Sequence, residues 1–448
     1  MQSEKIACYT FKERRRIILY PIIIVQVYLT ASVLMFAFGP WPWPVSNPVQ
    51  LYLFLFLAQV ALLGGYLQAI KRQPRPASTR LRVPTLITVS LLFSFLWIGQ
   101  IYEFRTGQPF DLQSASAAAI SGLTNPGLQY LNKQLNNSAG SGEPTSLMNY
   151  ASLPVFAVLW IALPLGVVFW KQISVPVRVA LVTYMVLDLL SWAASGMNKG
   201  IFDYVIILPC MLVARKPAIL LNIRRNLPAV GLAATITVSA VFAFFSIGLS
   251  GRFGSDPVPL YDQQIGIQSD FGSPFLKIVP PALQPPIAFL ASDFTQGYYA
   301  LSLSLKEPFV FCYGVGNSFF LEGLSRHIFY KPLFDSTYPA RIETSGWSTY
   351  GRWHSIYPWI ASDLTFPGTI IFMFLLGWVF ALVWLDVAFC KNLWAVCLFP
   401  LLLIMLFYVP ANNQVLAFSP QAVPFWAMLF LWSFTRGPKS TKKAARDS

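Results

Sequence analysis

The chain has 448 residues, of which 55% are hydrophobic and only 11% charged, and its mean hydropathy is +0.56. A soluble domain needs about a quarter of its residues charged to cover its surface, so this balance excludes a soluble globular protein and predicts an integral membrane protein. The formal net charge of +14 does not indicate nucleic acid, because the cations alternate with the hydrophobic segments in a topological pattern.

Taken in chain order, apolar stretches approaching the roughly 20 residues that cross a bilayer as helix lie near 17–38, 49–70, 83–101, 151–170, 176–195, 200–214, 228–249, 367–385, 393–410 and 416–434. Strand-like alternation is absent. The expected fold is therefore all-α, a polytopic bundle of about ten transmembrane helices and not a barrel. The segments between the stretches divide by charge. KERRR at 12–16, KRQPRPASTRLR at 71–82, Arg215, Lys216, Arg224, Arg225 and the tail RGPKSTKKAARDS fall on one side and carry over half of the 32 basic residues. This positive-inside pattern puts both termini in the cytoplasm and lets these cations orient the chain without binding a partner. The first stretch has no small-residue cleavage site behind it and reads as a retained helix, not a signal peptide; the Pro- and Trp-rich turn GPWPWPVSNP follows it.

The expected organisation is a membrane bundle over 1–249 with spans one to seven, a large outer loop over 250–366, the rest of the bundle over 367–434, and a basic tail over 435–448. The cytoplasmic loops are short, so any chemistry belongs outside. A first outer loop at 102–150 is rich in Ser, Asn, Gly and Ala. The second is longer than a plain connector needs to be. Within it, PPALQPPIAFLASDFTQGYYALSLSLKEPFVF alternates Pro pairs with helix-like apolar spacing and predicts amphipathic helices lying on the bilayer. Of the five cysteines only Cys312 falls in an outer loop, which excludes an intrachain outer disulfide.

One segment departs from a simple span. GMNKGIFDYVIILPCMLVA at 196–214 is short, contains Pro209 and carries Lys199 and Asp203 at its outer end, while Asp188 sits inside the preceding span. Interrupted segments with ionisable residues at membrane depth mark working sites. The plainer alternative has Lys199 snorkelling to the interface and Asp203 hydrogen-bonded nearby.

Several chemistries are excluded by what is missing. GxxxxGK[ST] and a GxGxxG followed by an acid do not occur, which argues against an ATP-driven pump. HExxH is absent, and two histidines with a single outer cysteine cannot build the usual zinc clusters. DxD and GxSxG are also missing. No metal and no cofactor are expected.

The second outer loop instead brings Arg326, His327, Lys331, Arg341, Arg352 and His354 together with Tyr330, Tyr338, Trp347, Tyr350, Trp353, Tyr357 and Trp359. The planar fork of Arg suits phosphate oxygens, and flat aromatic faces suit sugars and cations. Such a set fits a sugar diphosphate; an interfacial aromatic belt with anchoring cations is the alternative. Arg341 and Arg352 are the first candidates for the diphosphate, Lys199 and Arg252 the next, and Arg326 the last, with Trp353 and Tyr350 as substrate-binding aromatics. His354 has three readings. An imidazole near its ordinary pKa can act as a general base, donate a hydrogen bond to substrate, or serve structure. Asp363 is the second candidate base or, alternatively, an N-terminal helix cap.

The stretch HSIYPWIASDLTFPG at 354–368 resembles a signature of the O-antigen ligase and polymerase superfamily, in which His and a small polar residue precede nine residues and a G-x-x-G at the head of a helix. His354 and Ser355 match, Gly368 matches the second glycine, and Thr365 stands where the first would be. The surroundings, including Asp363 and GYYALSLSLKEPFVFCYGVGNS at 297–318, look more like the Wzy-type polymerases of polysaccharide repeat units. The resemblance implies a metal-independent, inverting glycosyltransferase in a bacterial inner membrane. It would move a glycan from undecaprenyl diphosphate to a sugar hydroxyl on a second lipid-linked repeat at the periplasmic face, with a chain-length regulator as an expected partner. A ligase acting on the finished glycan is the near alternative, and a lipid-glycan transporter or flippase is the alternative of a different class.

Overall fold

The computed structural model describes residues 9–78, 81–129, 147–197, 199–221, 246, 260–262, 265–327, 332–349 and 351–437. The expected span at 228–249, apart from residue 246, lies outside the described residues, as do Arg252, Lys331, Tyr350 and the tail beyond 437.

Helix α1, Phe11–Phe38, opens on a capping box: the Thr10 hydroxyl accepts the Glu13 amide and the Glu13 carboxylate accepts the Thr10 amide at 2.8 Å. This reciprocal pairing satisfies two of the amides that a helix start leaves open. Helix α2, Pro48–Ala69, starts on a proline at its first turn, where the missing amide costs nothing. Helices α3, Val83–Leu96, and α4, Ile98–Thr106, meet at a 55° bend. Next come α5, Leu112–Thr124, α6, Leu147–Val168, α7, Val175–Ala194, and α8, Lys199–Arg215.

The long loop holds a two-residue antiparallel pair, Tyr261–Asp262 with Ile267–Gln268, then α9, Gln284–Ser304, and α10, Phe319–His327. Helix α11, Ile356–Leu385, runs on through a π-helical turn at Asp386–Cys390. It is followed by α12, Leu393–Phe407, and α13, Ser419–Thr435.

By length and composition four of the described helices can cross a membrane: α1, α2, α7, and α11 with its π turn. The bent α3–α4 pair makes a fifth if it counts as one span. Leu153–Val168 of α6 and Leu393–Phe407 of α12 are apolar but shorter. The all-α membrane class holds; the described helices that meet this test number four or five, where the hydropathy of the sequence predicts about ten spans.

Helices α2 and α11 touch backbone to backbone. A Cβ on Gly65 would lie 1.9 Å from the Phe374 carbonyl oxygen, and one on Gly377 would lie 2.0 Å from that of Leu62. Without a hydrophobic drive between helices in lipid, small residues that permit this approach are what pack them.

Helix α9 differs from the expectation of helices lying on the bilayer. Every residue from Thr295 to Ser302 is buried, the signature of a helix enclosed on all sides. It is held to α1 by the Ser32 and Tyr298 hydroxyls at 2.8 Å. The PWPW turn folds onto it through Trp41 Nε1, which donates to the Ala288 carbonyl at 2.7 Å, and Trp43 Nε1, which donates to Thr295 Oγ1 at 3.2 Å. The buried positions are mostly Ala, Ser, Gly and Thr, so a weakly hydrophobic sequence is still packed in the interior.

Candidate functional site

The head of α11 is broken. Thr365 has φ 67° and ψ 166°, a region that is essentially open only to glycine, and holding a β-branched residue there costs roughly 1–3 kcal/mol. The break divides the helix. Thr365 Oγ1 accepts the Gly368 amide at 3.2 Å and the Thr365 carbonyl accepts the Thr369 hydroxyl at 2.9 Å, so Thr365 caps the segment that continues as the long span. Pro367 falls within the first turn after this cap, where proline is tolerated.

Asp363 is therefore not the cap that its position suggests. Its two oxygens reach away from the helix, one accepting the Gly314 amide at 2.7 Å and the other the Asn317 side-chain amide at 2.7 Å. Asn317 also donates to the Trp359 carbonyl and accepts from Asn413 at 3.0 Å. The carboxylate thus pins the 314–317 turn and the 411–418 segment to the helix head.

His354 is 1% exposed. Its Nε2 lies 3.2 Å from the Ser348 carbonyl oxygen. A carbonyl only accepts, so this contact puts the ring proton on Nε2 and leaves Nδ1 as a bare lone pair. Nδ1 is buried and has no hydrogen-bond partner among the described residues. Burial pushes the imidazole pKa down from its ordinary value to about 4, against smaller opposing effects from Ser348 and Glu343, so the ring is neutral at physiological pH. Two neighbours share its condition: Ser355 Oγ and Trp359 Nε1 are also buried without a hydrogen-bond partner. The Trp359 ring meets the imidazole edge to face at 5.8 Å. Opposite them α9 approaches at Gly297, where a Cβ would lie 2.2 Å from the Pro410 carbonyl oxygen and 2.6 Å from the Ser355 nitrogen. Buried polar groups are nearly always satisfied, and three such atoms without a partner among the described residues fall within 354–359, which makes this stretch the candidate site.

The candidate cations among the described residues are already engaged. Both terminal nitrogens of Arg352 contact Asp262 at 2.7 Å, with the guanidinium over Trp347. Arg341 is 3.4 Å from Glu307, donates to the Pro308 carbonyl at 2.7 Å and stacks on Tyr338. Arg326, itself exposed, pairs with Glu322 one turn away on α10 at 2.5 Å. Lys199 pairs with Asp203 at 2.6 Å. Each acid already contributes the charge that a diphosphate would bring. Trp353 is half-buried, its amide donating to Gln296 and its carbonyl accepting from Trp347.

Lys199 belongs to a second cluster, apart from Arg341 and Arg352 in its contacts. On α4, Arg105 contacts Asp188 of α7 at 2.8 Å, donates to Ser191 and lies 4.1 Å over Trp192. Lys199 faces the same Trp192 ring at 5.5 Å. Asp203 is 7% exposed and its Oδ1 has no hydrogen-bond partner, although the Tyr408 side chain interacts with this carboxylate. Arg105 was not legible as part of a site. A single cation just past an apolar stretch reads as an interfacial anchor, and its partner is 83 residues away. The turn that begins at Tyr408 joins the two clusters, because the Val409 carbonyl accepts the Ile356 amide at 3.0 Å and Pro410 packs on Gly297.

These features define the class as an α-helical membrane protein with a polar site built at the head of a broken helix. Comparison with protein-family models, with curated proteins and with solved structures finds no match.

Proposed function

We propose that this chain is a repeat-unit polymerase of the Wzy type. In this reading it takes a glycan from undecaprenyl diphosphate and passes it to a sugar hydroxyl on a second lipid-linked unit, at the periplasmic face of a bacterial inner membrane. The observation that carries the reading is the head of α11. A tautomer-fixed histidine with a free lone pair stands beside Ser355, and after nine intervening residues the backbone turns glycine-like at Thr365, the position where the superfamily pattern has glycine.

The chemistry needs no metal and no nucleotide. His354 Nδ1 takes the proton of the acceptor hydroxyl as that oxygen bonds to the anomeric carbon. The bond from that carbon to the diphosphate oxygen breaks, and the electron pair leaves with undecaprenyl diphosphate. Arg352 and Arg341 stabilise the leaving diphosphate once Asp262 and Glu307 yield them, and the dry surroundings strengthen that attraction. His354 is closed off in the structure, so in this reading substrate reaches it only when the chain around it opens. The ten-span topology with a periplasmic domain over 250–366, the cytoplasmic termini and a chain-length regulator as partner belong to this reading.

The test is polysaccharide analysis by gel in a deletion strain carrying wild type or His354→Ala. Single repeats in the deletion, with the ladder restored only by wild type, support the polymerase. Unattached full-length polymer in the deletion points to a ligase, and an unchanged ladder removes both. The Arg105–Asp188–Lys199–Asp203 cluster favours a second reading, a lipid-glycan transporter, because ionisable residues gathered from several helices mark transport paths. In that case the deletion traps lipid-linked repeats in the inner leaflet, shielded from a membrane-impermeant oxidant.

A further inference from the structure

The segment Glu307–Tyr313, between α9 and the 314–317 turn, turns its side chains the wrong way for a soluble loop. Phe309, Val310, Phe311 and Tyr313 are 43%, 41%, 50% and 68% exposed, and no described residue covers them. The three rings pack against one another at tilted angles, Phe311 against Tyr313 with centroids 4.8 Å apart. The backbone beneath is pinned at both ends. Lys306 reaches Ser46, and Gln50 donates to the Leu305 carbonyl at 3.2 Å, both from the α1–α2 turn and its flank. Arg341 holds the Pro308 carbonyl, and the Gly314 amide is held by Asp363. Cys312 points inward and is fully buried, while left-handed backbone at Tyr313 and Gly314 throws the tyrosine outward.

We propose that this strap docks on the bilayer and lies in its headgroup layer. Three observations select that occupant and that depth. The strap is tied to the start of α2 and to the head of α11, two membrane-capable helices that expose apolar residues, among them Val49, Leu53, Phe56, Leu364 and Ile371. The amides of Phe309, Val310 and Phe311 bond to no described group. The hydrocarbon core does not tolerate open amides in contact with lipid, whereas the hydrated headgroup layer does. Aromatic side chains concentrate at that depth, and the flanking cations Lys306 and Arg341 belong there too. The strap thereby fastens the loop that carries Asp363's partners to the membrane surface. This inference does not depend on the proposed reaction.

The experiment places photoreactive benzoylphenylalanine at Phe311 in the full chain, reconstituted in vesicles of phosphatidylethanolamine and phosphatidylglycerol. The same residue at Phe56, exposed on α2, sets the yield of a lipid-facing position. Because both side chains are exposed, neither replacement disturbs the packed interior. A phospholipid adduct at Phe311 in a yield comparable to that at Phe56 is expected. An adduct at Phe56 with none at Phe311 overturns the proposal. So does crosslinking of Phe311 to a second copy of the chain, which would make the strap a protein interface.

Discussion

The two ends of α11 treat polar groups in opposite ways. At the far end Asp386 is fully buried and fully used. It accepts from Arg436 Nε at 2.8 Å, Arg436 Nη2 at 3.3 Å, Trp432 Nε1 at 2.8 Å and the Arg75 amide at 2.6 Å. A short backbone pairing of Ala77 with Arg436 closes the clasp. At the head, His354, Ser355 and Trp359 each keep an orphaned buried atom, and Thr365 stands in a strained backbone. The Asp386 carboxylate is fully satisfied by the chain's own groups and serves the fold. The head is held at a cost in stability, which is where function is to be sought.

The largest expected effect breaks the complete end. Asp386→Ala strands the Arg436 guanidinium in a site that is 14% exposed, and removing one partner of such a buried pair costs about 3–5 kcal/mol. Unfolding in detergent should show that loss, while in the proposed polymerase reading the folded fraction keeps its product chain length. A change in chain length at full stability would make the clasp part of the site.

The head is next, probed by acid. His354 titrates near 6.5 when unfolded but at about 4 when folded. Between those values the unfolded chain binds a proton that the folded chain refuses, so stability falls as pH drops through this window and is unaffected by this group above it. The total is ~3 kcal/mol at about 1.4 kcal/mol per pH unit. Wild type and His354→Gln should therefore diverge from pH 6.5 to 4, the variant losing less. Parallel curves would mean the ring is not held neutral.

Gly297→Ala forces a Cβ against Pro410 and Ser355, and overpacking of this kind costs about 1–3 kcal/mol. Because the clash falls on the helix head, the proposed polymerase reading expects product chain length to change together with the melting temperature. If only the melting temperature moves, the Gly297 contact is packing alone.

The smallest effect has the sharpest sign. Thr365→Gly relieves the backbone but loses the hydroxyl cap, for a net gain of about 1 kcal/mol. Thr365→Ala keeps the strain and loses the cap, for a loss of about 1 kcal/mol. Stabilities should run Gly, then Thr, then Ala. Thr365→Gly less stable than wild type would show that the break carries no strain.

How far the site could be read from residues alone is shown by three positions. The H-S…T-x-x-G spacing located the helix head, because a cap and a break are local events. It left Asp363 as either a second base or a helix cap, and the structure removes the cap, because its partners Gly314 and Asn317 lie 49 and 46 residues away. It treated Arg352 as a free cation, whereas Asp262, 90 residues earlier, holds it from both sides.

What the sequence by itself determined is the class of molecule and the main apolar segments. Hydropathy is an additive property of neighbouring residues, so α1, α2 and α7 fall close to their expected ranges. Only the tertiary structure decided that α9 is interior, that every described candidate cation is paired, that Arg105 joins Asp188, and that His354 is buried and neutral. Each of these depends on which distant group occupies the few ångströms around a side chain, and that is set by packing.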